Sequence, residues 1–219
     1  MNTNPFTNRL AVETPPVEEQ PEVEADVILG DQVETSGPKQ PLAKREDADP
    51  GSLLPLSSSD GTGSLRIVGT HGGAGGSTLK ELLGGALADD AGRFWPQPHP
   101  WVPESSSGRV LLVARTHRTG LLSLREALSA WHAGAYASGL PLMGACIIDD
   151  APRLTKAQIA EIKSLTAMSP RGWHLPWQES LRMTEPAEAA LSARVKWMLS
   201  RVRHHATHGG THQKKETSR

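Results

Sequence analysis

An apolar run, five glycines within eight residues and a helical apolar pattern follow one another without a break from Leu65. Leu65-Arg-Ile-Val68 reads as a short strand. From Ser77, the residues Leu79, Leu82, Leu83, Ala86 and Leu87 fall on one face of a helix predicted over 77–88. Between strand and helix stands Gly69-Thr-His-Gly-Gly-Ala-Gly-Gly76. Glycines permit positive φ and let the backbone come close to a ligand. Successive N–H groups turned inward, with a helix N-terminus behind them, make an anion cradle. Gly72, Gly73, Ala74, Gly75, Gly76, Ser77 and Thr78 are therefore candidate nucleotide- or phosphate-binding residues. A hydroxyl at Ser77 or Thr78 is the candidate contact for a phosphate-bound Mg²⁺.

The same alternation continues downstream. Strands are predicted over 110–114, 142–148 and 172–175, and helices over 121–133, 155–167 and 186–203. The third helix opens with the capping box Thr155-Lys-Ala-Gln158. Four strands alternating with four helices predict an α/β fold. It is a three-layer parallel sheet of about four or five strands, joined by right-handed crossovers and covered on both faces. Residues 84–108 break the alternation. They carry Pro96, Pro98, Pro100 and Pro103 with Trp95 and Trp101, and read as a long surface segment.

Charge divides the chain. Through Thr62 there are twelve acids and four bases; from Gly63 onward there are twelve acids and nineteen bases. Residues 1–62 are rich in Pro, Glu, Asp, Ser and Thr and are expected to be a disordered acidic arm. Within them, Val27-Ile-Leu29 is a candidate docking patch. The folded domain is expected over 63–203, with a disordered, basic, His-rich tail over 204–219. No apolar run is long enough to span a bilayer. The opening Met1-Asn-Thr-Asn-Pro5 does not read as a signal peptide, so a cytoplasmic location is expected. A single cysteine, Cys146, excludes a disulfide framework and a cysteine-clustered metal site.

The glycine loop resembles the deviant Walker A loop of the ParA/MinD family of P-loop ATPases, usually Lys-Gly-Gly-x-Gly-Lys-[Ser/Thr]-[Ser/Thr]. Gly72, Gly73, Gly75, Ser77 and Thr78 match. The similarity runs on through Val110-Leu-Leu-Val113 with Ser123-Leu124, through Gly144-Ala-Cys-Ile-Ile-Asp149, and through Trp173-His-Leu-Pro-Trp177. It covers about residues 65 to 203 by motif order. The chain also looks like a group of uncharacterised actinobacterial proteins, often linked to mobile elements, that share Gly-Gly-Ala-Gly-x-Ser-Thr and Trp-His-x-Pro-Trp.

The resemblance implies a reduced P-loop NTPase-like fold, with ATP and Mg²⁺ as cofactors and a role in plasmid or mobile-element maintenance. Two departures bear on activity. His71 and Gly76 stand where the family has its lysines, and no apolar strand ending in an acid lies between the loop helix and Val110. Without them, hydrolysis lacks its main electrostatic contributors. The expected function is therefore nucleotide or phosphate binding with weak or no hydrolysis. Asp149 is the remaining candidate metal acid. His71, Arg115 and Arg118 are candidate anion contacts.

Two alternatives stay open. In one, the same fold is an interaction module and the glycines serve only a tight turn. In the other, a slow ATPase uses Arg115 or Lys80 for charge. The acidic arm is a candidate surface for a protein partner and the basic tail for DNA; a dimer is a candidate assembly. His204, His208 and His212 share a spacing of four, but Gly209-Gly210 argues against a helix there. The tail could also lie against the chain's own acidic arm.

Overall fold

The computed structural model describes residues 23–24, 34–39, 54–59, 61, 63–99, 101 and 108–208. In chain order the elements are β1 (Val23–Glu24), β2 (Glu34–Ser36), β3 (Leu56–Ser59), β4 (Leu65–Gly69), α1 (Gly76–Leu83), β5 (Ala88–Asp90) and β6 (Trp95–Pro98). They continue with β7 (Arg109–Arg115), α2 (Arg118–His132), β8 (Leu142–Ile148), β9 (Arg153–Leu154) and α3 (Lys156–Met168). Last come β10 (Arg171–Leu175), α4 (Ser180–Met183) and α5 (Ala193–His208). The fold is mixed α/β around a mostly parallel sheet.

Six strands form that sheet in the order β2-β10-β8-β7-β4-β5. Every neighbouring pair is parallel except β2, which runs antiparallel to β10. The central strands are apolar because both of their faces are covered. Along β7, Val110, Leu112 and Ala114 pack with α2 and α3, through Leu121, Leu124, Leu128, Ile162 and Leu165. Leu111 and Val113 pack the other way, with Leu79, Leu82 and Leu83 of α1 and Val195, Met198, Leu199 and Val202 of α5. Each such buried aliphatic side chain contributes about 1.5–3 kcal/mol. At the head of α3, Thr155 and Gln158 form the reciprocal capping box. His117 caps α2 by accepting from the Gly120 N–H.

The structure differs from the sequence reading at four places. Helix α1 ends at Leu83, not near 88, because Gly84 takes φ +94° and caps it. The segment 84–108 is not one long loop. Ala88–Asp90 pairs with β4, and Trp95–Pro98 pairs with β3 in a separate two-stranded sheet. Proline's fixed φ favours that extended path. Trp95 is fully buried, stacks on Tyr136 at 3.9 Å and donates its indole N–H to Leu140 O at 3.1 Å. Trp101, in contrast, is 86% exposed.

The last helix begins at Ala193 rather than 186 and runs past Arg203 to His208. Residues 186–192 are held in a turn: Ser180 donates to Ala190 O, and Gln178 accepts from the Ser192 N–H. His204 and His208 therefore lie on helix, with rings stacked at 4.6 Å, while His212, Lys214, Lys215 and Arg219 lie outside the described residues.

The fourth difference is the arm. Three short strands come from residues 1–62, expected to be disordered, and one of them, β2, makes the sixth strand of the sheet. Val27-Ile-Leu29 lies outside the described residues. The arm's end is pinned by Arg66, which is fully buried. Its guanidinium contacts Gly61 O and Gly63 O and pairs with Asp89 at 2.9 Å. Among the described residues no helix is long and apolar enough to cross a membrane.

Candidate functional site: a glycine loop at the carboxyl edge of the sheet

Strand β4 delivers its chain to the edge where β7 and β8 also end. Beyond Gly69, Thr70 stays in register, its N–H donating to Val113 O at 3.0 Å. The chain then turns through Gly73 at φ +73° and Gly75 at φ +92°. Gly75 is the N-cap of α1, and the first helical bond runs from Leu79 N–H to Gly75 O at 2.9 Å. A Cβ at Gly75 would lie 2.8 Å from Ile148 Cδ1, so any other residue there is strained by conformation and must also displace the tip of Ile148. Gly72 and Gly73 face open space. The N–H groups of Gly76, Ser77 and Thr78 have no intrahelical acceptor, as in the first turn of any helix. No side chain caps this end.

His71 does not stand in for a cation. Its Nδ1 lies 2.8 Å from Gly72 O, and its Nε2 accepts the Arg115 backbone N–H at 3.1 Å. The acceptor role at Nε2 assigns the proton to Nδ1, which donates to Gly72 O. Burial pushes the pKa of His71 below 6.5. The Gly72 bond opposes that shift, and the charges of His117, Arg115 and Arg93 reinforce it. At neutral pH the ring is a neutral splint between the loop and β7.

The positive charge comes from either side. Arg115 ends β7, and its Nε is buried with no hydrogen-bond partner. Arg93 is exposed on the turn after β5, and that turn is bonded to the loop's start by Gly69 N–H donating to Gly92 O at 2.8 Å. Arg118 is exposed in the first turn of α2. Lys80 lies in the last turn of α1, away from the cradle.

The acids divide. Asp149 is buried with both oxygens engaged: Oδ1 meets His174 Nε2 at 2.8 Å, and Oδ2 accepts the Trp177 N–H at 3.3 Å. As a metal contact it is already occupied by the protein. Asp150 accepts from the Thr116 hydroxyl at 2.5 Å. Asp90, which sequence reading passed over, ends β5 beside the loop. A Cβ at Gly76 would lie 3.4 Å from its Oδ1. Its signal was there in Ala88-Asp-Asp90, too short a run to read as a strand. Ser77 is exposed and Thr78 half-buried. Both line a groove of about 620 Å³ between α1 and residues 181–188, where Glu81, Glu185 and Glu188 outnumber Arg182. Among the described residues, no group of three or more His, Cys, Asp or Glu side chains could hold a metal ion.

The loop, Arg93, Arg115 and Asp90 thus gather at one edge. The helix-start N–H groups and two arginines whose charges bear on His71 share this edge. The chain belongs to a family of unknown function, DUF6668, which matches residues 63–199. No curated protein and no solved structure matches it.

Proposed function

We propose that this DUF6668 member binds a nucleotide, or a phosphate-bearing ligand, through residues 72–78 and hydrolyses it weakly or not at all. In this reading the domain is a reduced three-layer, P-loop-like fold, a degenerate relative of the ParA/MinD ATPases. The observation that carries it is the strand–loop–helix geometry. Two left-handed glycines turn β4 into an uncapped helix N-terminus at the sheet edge where α/β folds place ligands. Arg115 and Arg93 supply charge that the two missing lysines would have given.

Mg²⁺, where present, would neutralise phosphate charge; the hydroxyl of Ser77 or Thr78, at the start of α1, is the group of this chain proposed to contact it. The buried Asp149 is not. Weak hydrolysis follows from its engagement with His174 and Trp177 and from the lack of a lysine at Gly76. A role in plasmid or mobile-element maintenance rests on the sequence resemblance alone.

Titration with a fluorescent ATP analogue and Mg²⁺ tests the reading. Saturable binding that weakens at least tenfold in Arg115→Ala is expected. No saturation at millimolar nucleotide would leave only the interaction module. Gly76→Lys gives a gain-of-function arm, because a Cβ there meets Asp90 and Ile67 at no closer than 3.4 Å. Tighter phosphate binding is expected, and unchanged affinity counts against the cradle. For DNA, the proposed contact is the basic tail expected over 204–219, of which residues 209–219 lie outside the described residues. A salt-sensitive gel shift should vanish on deleting residues 209–219.

A further inference from the structure

The edge strand β2 belongs to the acidic arm, and the receptor it occupies is built by the body. Its ladder pairs Glu34 with Trp173, Thr35 with Gly172, and Ser36 with Arg171. The Gly37 N–H extends it by donating to Pro170 O at 3.0 Å. The Glu34 carboxylate is gripped from two elements. Arg171 Nη1 of β10 lies 2.7 Å from Oε1; Arg201 Nε and His205 Nε2 of α5 lie 3.0 Å from Oε2 and Oε1.

The backbones also approach closely at two glycines. Thr35 lies over Gly172, where a Cβ would stand 2.5 Å from its Oγ1. Gly37 lies on the carbonyls of Ala167 and Ser169, where a Cβ would be 2.6 Å from Ala167 O. The site therefore reads a carboxylate and, three residues on, a glycine.

What holds β2 is polar. Among the described residues, neither core cluster includes a β2 side chain. The Thr35 hydroxyl is buried with no hydrogen-bond partner. Arg171 and Arg201 stay 34% and 38% exposed, within reach of an incoming carboxylate. A strand held by a three-residue ladder and ion pairs, with no apolar anchor, exchanges more readily than a core strand.

We infer that the β10 edge, with Arg171, Arg201 and His205, is a strand-docking site for an extended acidic protein segment of the form Glu-x-x-Gly. The chain's own β2 fills it in cis and competes with the partner, which adds to the sheet by strand augmentation. The inference is independent of the glycine loop.

The test uses the full-length chain and a fluorescein-labelled peptide with the sequence of residues 31–39, read by anisotropy. The Glu34→Gln chain, whose own strand is weakened, is expected to bind the peptide at least tenfold more tightly than wild type. A peptide carrying Gln at the Glu34 position should bind at least tenfold more weakly, and adding Arg201→Ala to the chain should remove binding. Equal binding to both chains, or indifference to the peptide's carboxylate, overturns the inference. Should Glu34→Gln fail to fold, hydrogen exchange on the wild-type chain with millimolar peptide decides. Faster exchange at the Gly37 amide supports displacement, and no change there sinks it.

Discussion

His71 carries a loop whose sequence suggests a cation at that position. Both of its ring nitrogens are in hydrogen bonds, and one of them must accept. Protonation therefore breaks the Arg115 N–H bond, and the fold resists it by holding the pKa below 6.5. The unfolded chain takes the proton more readily. The stabilisation is complete above about pH 6.5 and is lost as pH falls from there through the folded pKa. His205 shifts the same way. Burial lowers its pKa, Glu34 raises it, and the nearby Arg171, Arg201 and His204 lower it again.

Glu34 acts at lower pH. Burial raises its pKa, but the bonds from Arg171 and Arg201 and the charge of His205 outweigh burial and hold it below 4.5. Its contribution is present above that value and fades as pH falls through the folded pKa. Denaturation midpoints should therefore decline below pH 6.5, and His71→Gln should flatten the first part of the decline. At neutral pH, His71→Ala should cost about 1–3 kcal/mol, because it strands the Arg115 N–H. An unchanged pH profile in His71→Gln would show that the ring does not act as a splint. Cys146 gives a second residue-scale expectation. Burial pushes its thiol up to about 12. A thiol reagent should leave the native chain unmodified and label it at the rate of global unfolding.

At the scale of elements, the turn from β4 into α1 depends on one glycine more than the others. Gly75→Ala puts an L residue at φ +92° and a methyl against Ile148. The left-handed conformation alone costs about 1–2 kcal/mol, and the contact adds to it. A loss of about 2 kcal/mol or more in a urea denaturation is expected, together with lost nucleotide binding. Gly72→Ala, in open space, should be tolerated.

The Trp95 segment makes the opposite kind of demand. A sequence of alternating prolines looks like exposed loop, yet Trp95 stacks on Tyr136, whose hydroxyl accepts the Leu54 N–H at 3.0 Å. Trp95→Ala should cost about 3–5 kcal/mol, whereas Trp101→Ala should be near neutral. A small effect at Trp95 would contradict its place in the core.

Across the whole molecule, the charge split acquires a structural use. Glu34 of the acidic arm sits against Arg171, Arg201 and His205 of the basic body. Arg203 donates to the carbonyls of Leu82 and Leu83 and so caps α1 from α5. Part of the basic surplus in the last helix is therefore engaged within the chain. Arg203→Ala should lower stability by about 0.5–1.5 kcal/mol and leave a DNA gel shift unchanged; a weakened shift would place DNA on α5 itself.

Local sequence signals determined the central strands, the capped helix at Thr155 and the glycine loop between strand and helix: apolar period, a capping box and clustered glycines. These are local properties, set by side-chain spacing and by which residues tolerate a turn. Tertiary structure decided the rest. A three-residue strand such as Ala88–Asp90 or Glu34–Ser36 has no period of its own and exists only because a neighbouring edge offers it hydrogen bonds. The charge flanking the loop is distributed the same way: Arg93 and Arg115 stand 22 positions apart in the chain, and only the packing of β5's turn and β7 around β4 brings them to one edge.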